Sequence, residues 1–255
     1  MPTEPEPDGR PDLPPGLAPA WVAAPRPRRG PKPSHSVPQI VAAAVELADA
    51  DGLAAASLPN IAASLGLTTN ALYRYVGSKD ELLVLLADTG FGPPPPLGGA
   101  DWRTTARAWA HAALERYRAR PWLLDLPFRG SAVTPHRLRW TELLLAAMPT
   151  TGLSGVDAIG CVLLVEDFTR ATAERLRAAS DPDSADFPSR ATDVRSFLRP
   201  RLAESDYTRL ATLAAQGDYP PASSVDFGLD LVLDGIAGLL AASRTRRASR
   251  KGGAP

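Results

Sequence analysis

Two pairs of polar and aromatic residues lie four positions apart in the first third of the chain: Thr69 with Tyr73, and Asn70 with Arg74. This spacing places each pair on one side of an α-helix. Hydroxyl, amide and guanidinium groups on such a side match the base edges and phosphates of the DNA major groove, which admits one helix. The spacing therefore favours a helix that reads DNA, although an ordinary pair of helices with a solvated face has a similar pattern.

An apolar pattern on both sides of Gly66 predicts the scaffold that holds this helix. Ser57 can cap a short preceding helix, and Gly66 can adopt the left-handed conformation that ends it. Leu72 and Val76, also four positions apart, can face that first helix from the second. The combination predicts a helix-turn-helix. The apolar positions of the first helix are Leu58, Ile61, Ala62 and Leu65.

Two capping boxes mark the helices on either side of this motif. Residues 36–39, with the pattern S-x-x-Q, open a helix that ends at Gly52. Residues 78–81, with the pattern S-x-x-E, open another helix, in which residues 82–86 are all apolar. Because a helix that is apolar all round has no side suited to water, we expect this one to be buried on two sides.

The composition of the 255-residue chain is that of a soluble globular protein, with 44% hydrophobic and 22% charged residues. No apolar run approaches the roughly 20 residues that a membrane span needs. The first 24 residues lack the basic start and apolar centre of a secretory signal. Cys161 is the only cysteine, which excludes intramolecular disulfides and thiolate metal sites. These features predict a cytoplasmic protein with no membrane partner.

The titratable residues do not form a catalytic or metal-binding pattern. The histidines His35, His111 and His136 lack the spacing of metal ligands. Glu166 and Asp167 are adjacent, so they point to different faces of a helix. We therefore expect no catalytic residue, no metal site and no cofactor. An all-α enzyme that binds a small molecule and uses these groups is the alternative from another class.

Basic residues cluster at both ends of the chain, although the formal net charge is zero. Near duplex DNA, such clusters add salt-dependent affinity that is blind to sequence, because they release counterions. A non-specific DNA-binding protein is therefore a further hypothesis, and solubilising tails explain the clusters equally simply. The clusters are Arg26, Arg28, Arg29 and Lys32 near the start, and Arg244, Arg246, Arg247, Arg250 and Lys251 near the end.

Proline and glycine divide the predicted all-α chain into segments. Twelve of the 27 prolines precede Gln39, which indicates a disordered arm. A run of four prolines, Pro93–Pro96, breaks the helical pattern and indicates a linker. The predicted organisation is an arm at 1–33, a three-helix helix-turn-helix domain at 34–90, a linker at 91–100, a helical domain at 101–243 and a basic disordered tail at 244–255.

Helical periodicity resumes at Asp101. One side of that helix is apolar and aromatic, while the neighbouring side carries basic residues and His111 and either is solvated or lines a cavity. Further helices are predicted at 134–148, 154–180 and 223–243, with short ones near 194–198 and 208–216. Binding pockets are mostly apolar with few polar anchors, although core packing is the commoner explanation of each aromatic residue taken individually. The candidate ligand-binding residues are Trp109, His111, Trp140, Leu144 and Phe168.

The last helix has a second apolar face in addition to a broad one formed by leucine, valine and isoleucine. This face contains Leu231, Gly235, Gly238 and Ala242. Each interior glycine lowers helix stability by about 1 kcal/mol relative to alanine. Close approach of another helix to this face would explain why glycine is present. A second copy of the chain would supply that helix in a homodimer. Complete burial of the helix within its own domain would explain the same apolar pattern.

Residues 37–87 resemble the DNA-binding domain of the tetracycline-repressor (TetR/AcrR) family of bacterial regulators. The resemblance lies in the first helix ending in Asp51-Gly52, and in the segments IAASLGL at 61–67, ALYRYV at 71–76 and SKDELL at 78–83. A weaker resemblance, in helix order, extends over residues 101–243. It implies a helical domain that binds a ligand and dimerises, as in the tetracycline repressor.

The resemblance also implies roles for individual residues. Thr68, Thr69, Asn70 and Arg74 would face bases, while Tyr73, Tyr75 and Lys79 would hold phosphates. Lys79 lies in the first turn of its helix, where a positive charge opposes the helix dipole, and a phosphate contact would account for it.

Two departures from the family pattern limit what the resemblance implies. Pro59 stands where many members carry a basic residue that reaches DNA, so the first helix of the motif is expected to contribute little. The basic arm would compensate. In drug-binding members a histidine and an asparagine hold tetracycline and its metal ion, whereas the proline run and Trp109 occupy those positions here. This difference argues against tetracycline as the ligand.

Together these observations predict a sequence-specific DNA-binding transcriptional regulator. The expected form is a homodimeric repressor that a small molecule releases from a palindromic operator. Its expected partners are double-stranded DNA, an effector and a second copy of the chain.

Overall fold

We describe a computed structural model of the chain for residues 16–21, 35–98, 101–127, 133–149, 153–180, 201, 207–209, 211–212 and 225–251. Every regular element within these residues is helical, which confirms the all-α prediction. None of the helices described has the length and apolar character that a bilayer span requires. The described residues form two compact units: the chain up to Pro95 with Arg120–Leu143, and Pro96–Ala119 with the chain from Leu144 onward.

The first unit contains the helix-turn-helix and its supports. Its helices are α1 (Leu17–Trp21), α2 (Val37–Asp51), α3 (Leu58–Ser64), α4 (Thr69–Leu72) and α5 (Lys79–Phe91), with short 3-10 turns at Leu53–Ala55 and Pro121–Leu124. Helix α7 (Pro135–Ala147) begins within this unit. The second unit contains α6 (Trp102–Ala119), α8 (Gly155–Ser180) and α9 (Val225–Lys251).

Local capping chemistry fixes where α2 and α5 begin. The Ser36 hydroxyl accepts the Gln39 amide, and the Gln39 side chain accepts the Ser36 amide at 2.8 Å, which completes the predicted capping box. At α5, the Ser78 hydroxyl accepts the Glu81 amide at 3.0 Å. The Glu81 carboxylate, in turn, accepts the Gly77 amide at 3.0 Å. Both helix starts were thus predictable from sequence, because the groups involved lie within four residues.

Helix α5 is packed on more than one side, as its apolar sequence predicts. Leu82, Leu85 and Leu86 are buried in the core of the first unit against α2. Near the other end, Gly90 lies against the ring of Trp122, so that a side chain at this position would overlap the indole. The glycine therefore serves close packing, since its own helix would be more stable with alanine.

Residues 120–124 are tied to both α2 and α5 by hydrogen bonds. The Trp122 indole donates to the Asp49 carboxylate at 2.7 Å, and the Arg120 guanidinium donates to the same carboxylate at 3.1 Å. Arg120 also donates to the carbonyl of Gly90 at 2.8 Å. The ends of α2 and α5 are therefore held together by a segment that follows them by about 30 residues or more.

A buried carboxylate on α5 caps α7. Asp88 accepts the backbone amide of His136 at 2.9 Å, and the His136 ring nitrogen Nδ1 lies 3.0 Å from the Asp88 carbonyl and 3.2 Å from its carboxylate. Since both of those neighbours are acceptors, Nδ1 carries the proton. Trp140, one turn later, donates to the carbonyl of Gly92 at 2.9 Å. The start of α7 is thus fixed on the end of α5.

The second unit buries one face of each of its helices. From α6, Ala106, Trp109 and Ala113 are buried, as the sequence predicts. Cys161 of α8 is also buried, and this burial raises the pKa of its thiol. The remaining large apolar side chains of this core are Val162 and Val165 of α8 and Leu229, Leu233, Ile236 and Leu240 of α9.

Three predicted features differ in the structure. Residues 17–21, predicted to lie in a disordered arm, form α1, because Gly16 and its neighbours pack on α5. Helix α9 continues to Lys251, so residues 244–251 of the predicted disordered tail are helical. Leu65, expected to be buried, is only half-buried because it follows the last turn of α3.

Other predictions fall largely outside the described residues. The rest of the arm, the helix near 194–198 and residues 252–255 are not among them. Of the helix predicted at 208–216, only residues 208–209 and 211–212 are described, and they are helical. The division into domains at 34–90, 91–100 and 101–243 stays a prediction.

Replacing Gly90 with alanine tests the packing at the end of α5. Because the new methyl group would displace the buried Trp122 ring, we expect Gly90→Ala to lower the free energy of unfolding. Overpacking costs about 1–3 kcal/mol, against a gain of up to about 1 kcal/mol in helix propensity. Urea unfolding followed by circular dichroism measures the difference. Thr89→Ala, at an exposed position beside it, is the matched control, and a Gly90→Ala protein as stable as wild type would contradict the expectation.

Candidate nucleic-acid interface

The turn between α3 and α4 is built as the sequence predicts. The Ser57 hydroxyl accepts the Asn60 amide and caps α3. Gly66 has a positive φ of 66°, which lets the chain turn sharply at the end of the helix. The amide of Leu67 then donates to the carbonyl of Ala62 at 2.8 Å, closing the turn.

Helix α4 is a single turn, held by a cap and by two buried side chains. The Thr68 hydroxyl accepts the Ala71 amide at 3.2 Å. Leu72 and Val76 have no exposed surface and face the core of the first unit, as predicted. Backbone hydrogen bonds from Tyr75 and Val76 to the carbonyl of Leu72 continue the turn beyond the helix. The side opposite the buried pair is thereby directed outward.

The structure brings all seven predicted DNA-binding residues to the surface of the first unit. Tyr73 has 48% of its surface exposed, which leaves its ring and hydroxyl accessible to a ligand. Within the described part of the chain, none of the seven side chains except the Thr68 hydroxyl is used in a hydrogen bond. Thr68, Asn70, Tyr73, Arg74 and Lys79 are exposed, while Thr69 and Tyr75 are half-buried.

Lys79 is the first residue of α5, where its charge opposes the helix dipole. The acidic residues Asp80 and Glu81 lie in the same turn, and the Glu81 carboxylate is committed to the Gly77 amide. A phosphate placed at this helix start would meet both an ammonium group and the positive end of the dipole. This geometry is suited to holding the DNA backbone.

The first helix of the motif presents little for DNA at its start. Pro59 is exposed in the first turn of α3 and has no donor group. The neighbouring Asn60 is exposed too, but its side-chain amide donates to the carbonyl of Ala55 at 3.0 Å. The candidate DNA-binding residues therefore lie on and around α4 and at the start of α5. We refer to them together as the reading surface: Thr68, Thr69, Asn70, Tyr73, Arg74, Tyr75 and Lys79.

The five candidate ligand-binding residues do not share one environment. Trp109, His111, Leu144 and Phe168 belong to the second unit, whereas Trp140 belongs to the first. Trp140 packs edge-to-face on Phe91, with ring centroids 5.0 Å apart. Trp109 and Leu144 are fully buried, and Phe168 lies against Gly228, where a Cβ atom would be only 2.8 Å from the ring.

His111 is part of an ion-pair ladder between α6 and α9 that sequence reasoning missed. Its Nε2 atom lies 2.9 Å from the Asp226 carboxylate. Arg107 reaches Asp226 and Asp230, and Arg103 reaches Asp230 and Asp234, the last at 2.7 Å. The signal was present in the sequence as acidic residues at i, i+4 and i+8 on α9, matching basic residues of the same spacing on α6.

The electrostatics of the ladder follow from these contacts. Hydrogen bonds from Arg107 and then Arg103 hold the pKa of the Asp230 carboxyl below its ordinary value. Asp234 and Asp230 raise the pKa of the Arg103 guanidinium further above its usual range. At the start of α6, the amide and hydroxyl of Thr104 hold the pKa of Asp101 low in the same way. Part of the polar side of α6 is thus paired with the carboxylates of α9.

The four candidate dimer residues of α9 all face outward. Leu231 is 58% exposed, and a Cβ atom built at Gly235 or Gly238 would meet nothing within 4 Å. Helix α8 has an exposed apolar stripe of its own, in which Val156 is 81% exposed. The other members of these stripes are Phe227 and Leu239 on α9, and Ile159, Leu163 and Leu164 on α8. The second unit therefore presents two apolar helix faces without a partner in the described residues.

Two family models match the chain. The model described as bacterial regulatory proteins, tetR family, matches residues 40–86. The model described as tetracyclin repressor-like, C-terminal domain, matches residues 94–240. These ranges include the reading surface and most of the second unit.

The curated relatives of this chain include HTH-type transcriptional regulators. The chain is 32% identical over 233 residues to the HTH-type transcriptional repressor DrrR1 of Streptomyces coeruleorubidus, which covers 88% of this chain and 85% of that protein. It is 28% identical over 191 residues to an HTH-type transcriptional regulator of Saccharopolyspora erythraea, covering 74% and 77% of the two chains.

Solved structures show the same fold. Apo ActR from Streptomyces coelicolor has a TM-score of 0.66 and 23% identity, covering 84% of this chain and 98% of that chain. The complex of ActR with actinorhodin has a TM-score of 0.66 and 22% identity, covering 82% and 97%.

Proposed function

The chain belongs to the tetR family of bacterial regulatory proteins, and on this premise we propose that it is a homodimeric repressor that a small molecule releases from a palindromic operator. The family consists of transcription regulators rather than enzymes. The observation that carries the proposal is the outward-facing reading surface on α4 and α5, held on a buried core. An operator as target places the working protein in the cytoplasm.

The exposed groups divide into those suited to bases and those suited to phosphates. Asn70 and Arg74 are exposed and carry the amide and guanidinium groups that make paired hydrogen bonds to adenine and guanine. Thr68 and Thr69 are short enough for close approach of the helix start. Tyr73 and Lys79 lie beside them with a hydroxyl and an ammonium group that suit the backbone. The half-buried Tyr75 has its backbone amide bonded to Leu72, and its hydroxyl is assigned to a phosphate.

Two substitutions distinguish these roles. Lys79→Ala should weaken binding to every DNA sequence and reduce the slope of log affinity against log salt by about 2 for the dimer, because one phosphate contact is lost in each half-site. Asn70→Ala should cost about 1–3 kcal/mol per half-site at the preferred operator and relax the preference at one base pair of each half-site. Gel-shift titrations at several salt concentrations, on the palindromes that flank the gene, measure both effects.

Thr89→Ala, on α5 but at its far end, should leave affinity and salt slope unchanged. Competition with random-sequence DNA separates the repressor from a protein that coats DNA through its basic termini. A coating protein would be displaced equally well by scrambled sequence. Absence of sequence-specific protection on any palindrome would contradict the proposed function.

The apolar stripes of α8 and α9 support a homodimer. A second copy would bury Leu231 and allow its helices to approach at Gly235 and Gly238, where the chain itself leaves open space. A symmetric dimer also places two reading surfaces on one face of DNA. Their centres must lie about 34–36 Å apart, one helical turn, to enter successive major grooves.

Gly238→Arg tests the dimer, because it places a charge and bulk in the proposed contact, and no described residue lies within 4 Å of a Cβ atom built at this position. We expect sedimentation velocity to show a shift from dimer to monomer, with loss of operator binding and no loss of helical content. Ser180→Arg, at an exposed position at the end of α8, is the control for added charge. A Gly238→Arg protein that stays dimeric would place the interface elsewhere.

A small-molecule effector is the remaining part of the proposal. In the solved ActR complex, a protein of this fold contains actinorhodin. In this chain the second unit contains the buried Trp109, the half-buried Phe168 and the half-exposed His111. An effector lowers operator affinity only if it binds the DNA-free conformation more tightly, and operator then weakens effector binding by the same factor.

Titration with planar aromatic compounds tests this site. A compound that binds should quench tryptophan fluorescence and weaken operator binding over the same concentration range. Trp109→Phe should remove most of the quenching because the reporting indole is lost. If no compound changes the fluorescence, or if quenching occurs without any effect on operator affinity, the assignment of an effector site to the second unit is wrong.

A further inference from the structure

The short helix α1 lies outside the part of the chain that the reading surface requires, yet it is packed on α5. Gly16, just before α1, is buried, with a φ of +82°. A Cβ atom at this glycine would lie 2.8 Å from Val84 Cβ and 2.9 Å from both the Cα and the carbonyl oxygen of Glu81. Since two of these obstacles are backbone atoms, no rotamer change can make room for a side chain.

The other end of α1 is fixed as well. The Trp21 indole donates to the carbonyl of Val133 at 2.8 Å, although 55% of the Trp21 surface is exposed. The directional hydrogen bond fixes the orientation of this partly exposed indole. Val133 lies directly before α7, whose first turn is capped by Asp88 of α5. Residues 16–21 are therefore attached at both ends to elements of the first unit.

The contact at Gly16 lies on the turn that presents Lys79. The Glu81 backbone touches Gly16, while its amide is bound by Ser78 and its carboxylate holds the Gly77 amide at 3.0 Å. These bonds join Gly77 and Ser78, in the loop that follows α4, to the first turn of α5. Any movement of Glu81 must therefore displace the turn that carries the Lys79 ammonium group.

We propose that residues 16–21 form a strap that locks the first turn of α5 and thereby positions Lys79 for its phosphate. Residues 16–21 are positioning residues in this scheme, because they act through Glu81 and touch no DNA themselves. The strap raises affinity for all DNA sequences alike and leaves base preference unchanged. This inference rests on the proposed function, since it assigns the strap to the same DNA-binding surface.

Gly16→Ala in the full chain tests the strap, with Gly52→Ala as a matched control. Both glycines have nearly the same φ, 82° and 80°, but a Cβ atom at Gly52 meets nothing within 4 Å. Alanine is strained at both positive-φ positions, and only at Gly16 does it also clash with α5 and push the strap off that helix. Hydrogen–deuterium exchange of the α5 first-turn amides should accelerate in Gly16→Ala and stay near the wild-type rate in Gly52→Ala.

Operator and random-sequence DNA should both bind Gly16→Ala about 100-fold more weakly than Gly52→Ala, because the bound dimer loses one charge-assisted hydrogen bond in each half and each loss is worth about tenfold. In a Lys79→Ala background the same change at Gly16 should have little further effect, because its route to DNA is already removed. Trp21→Phe, which keeps an aromatic ring but removes the indole N–H donor together with the pyrrole ring, should show a smaller change in the same direction. It serves as the second variant if Gly16→Ala does not fold.

The outcomes separate the two proposals. Equal exchange and equal affinity for Gly16→Ala and Gly52→Ala would overturn the strap. Additive losses from Gly16→Ala and Lys79→Ala would overturn its action through Lys79. If the wild-type chain binds no operator, the proposed function fails, and with it the DNA role of the strap, while the exchange data still decide whether residues 16–21 hold α5.

Discussion

The proposed DNA-reading surface depends on burial of Leu72 and Val76. Helix α4 has only four residues, and a helix of that length is not stable by itself because nucleation costs more than one turn returns. The two side chains have no exposed surface, so the core of the first unit fixes the turn that the backbone alone would not keep. Truncating a buried leucine such as Leu72 to alanine lowers the free energy of unfolding by about 2–5 kcal/mol. The exposed readers are thus rigid because their neighbours on the same turn are buried.

Helix α5 passes this rigidity to the remainder of the first unit. Its start is bound to the loop after α4 through Ser78 and Glu81, and its end contacts Trp122 and Arg120 and caps α7 through its own Asp88. A helix held at both ends moves as one body, because displacing one end strains the hydrogen bonds at the other. The apolar sequence of residues 82–86 reflects this position, since most sides of the helix are packed.

Sequence predicted those parts of the structure that depend on neighbouring residues. The caps at Ser36, Ser57 and Ser78 and the turn at Gly66 join groups no more than five residues apart, so their chemistry can be read directly. The bond from Trp122 to Asp49 spans 73 positions, and that from Trp21 to Val133 spans 112. No local pattern specifies such partners, and for this reason α1 was missed. The ladder between α6 and α9 was missed for the same reason, because its partners lie 115 or more positions apart.

The ladder explains how α9 can present an apolar face without losing its orientation. Three sets of residues divide the helix: a buried set that includes Leu229 and Leu233, the acidic set at 226, 230 and 234, and the open set at 231, 235 and 238. Apolar packing alone is not directional, and a helix with two apolar faces could bury either one. Ion pairs at three successive turns fix its rotation, because turning α9 would separate Asp226, Asp230 and Asp234 from their partners on α6. The individual pairs are half-exposed and contribute little stability. Their effect is on which apolar face is buried within the chain and which remains available to a second copy.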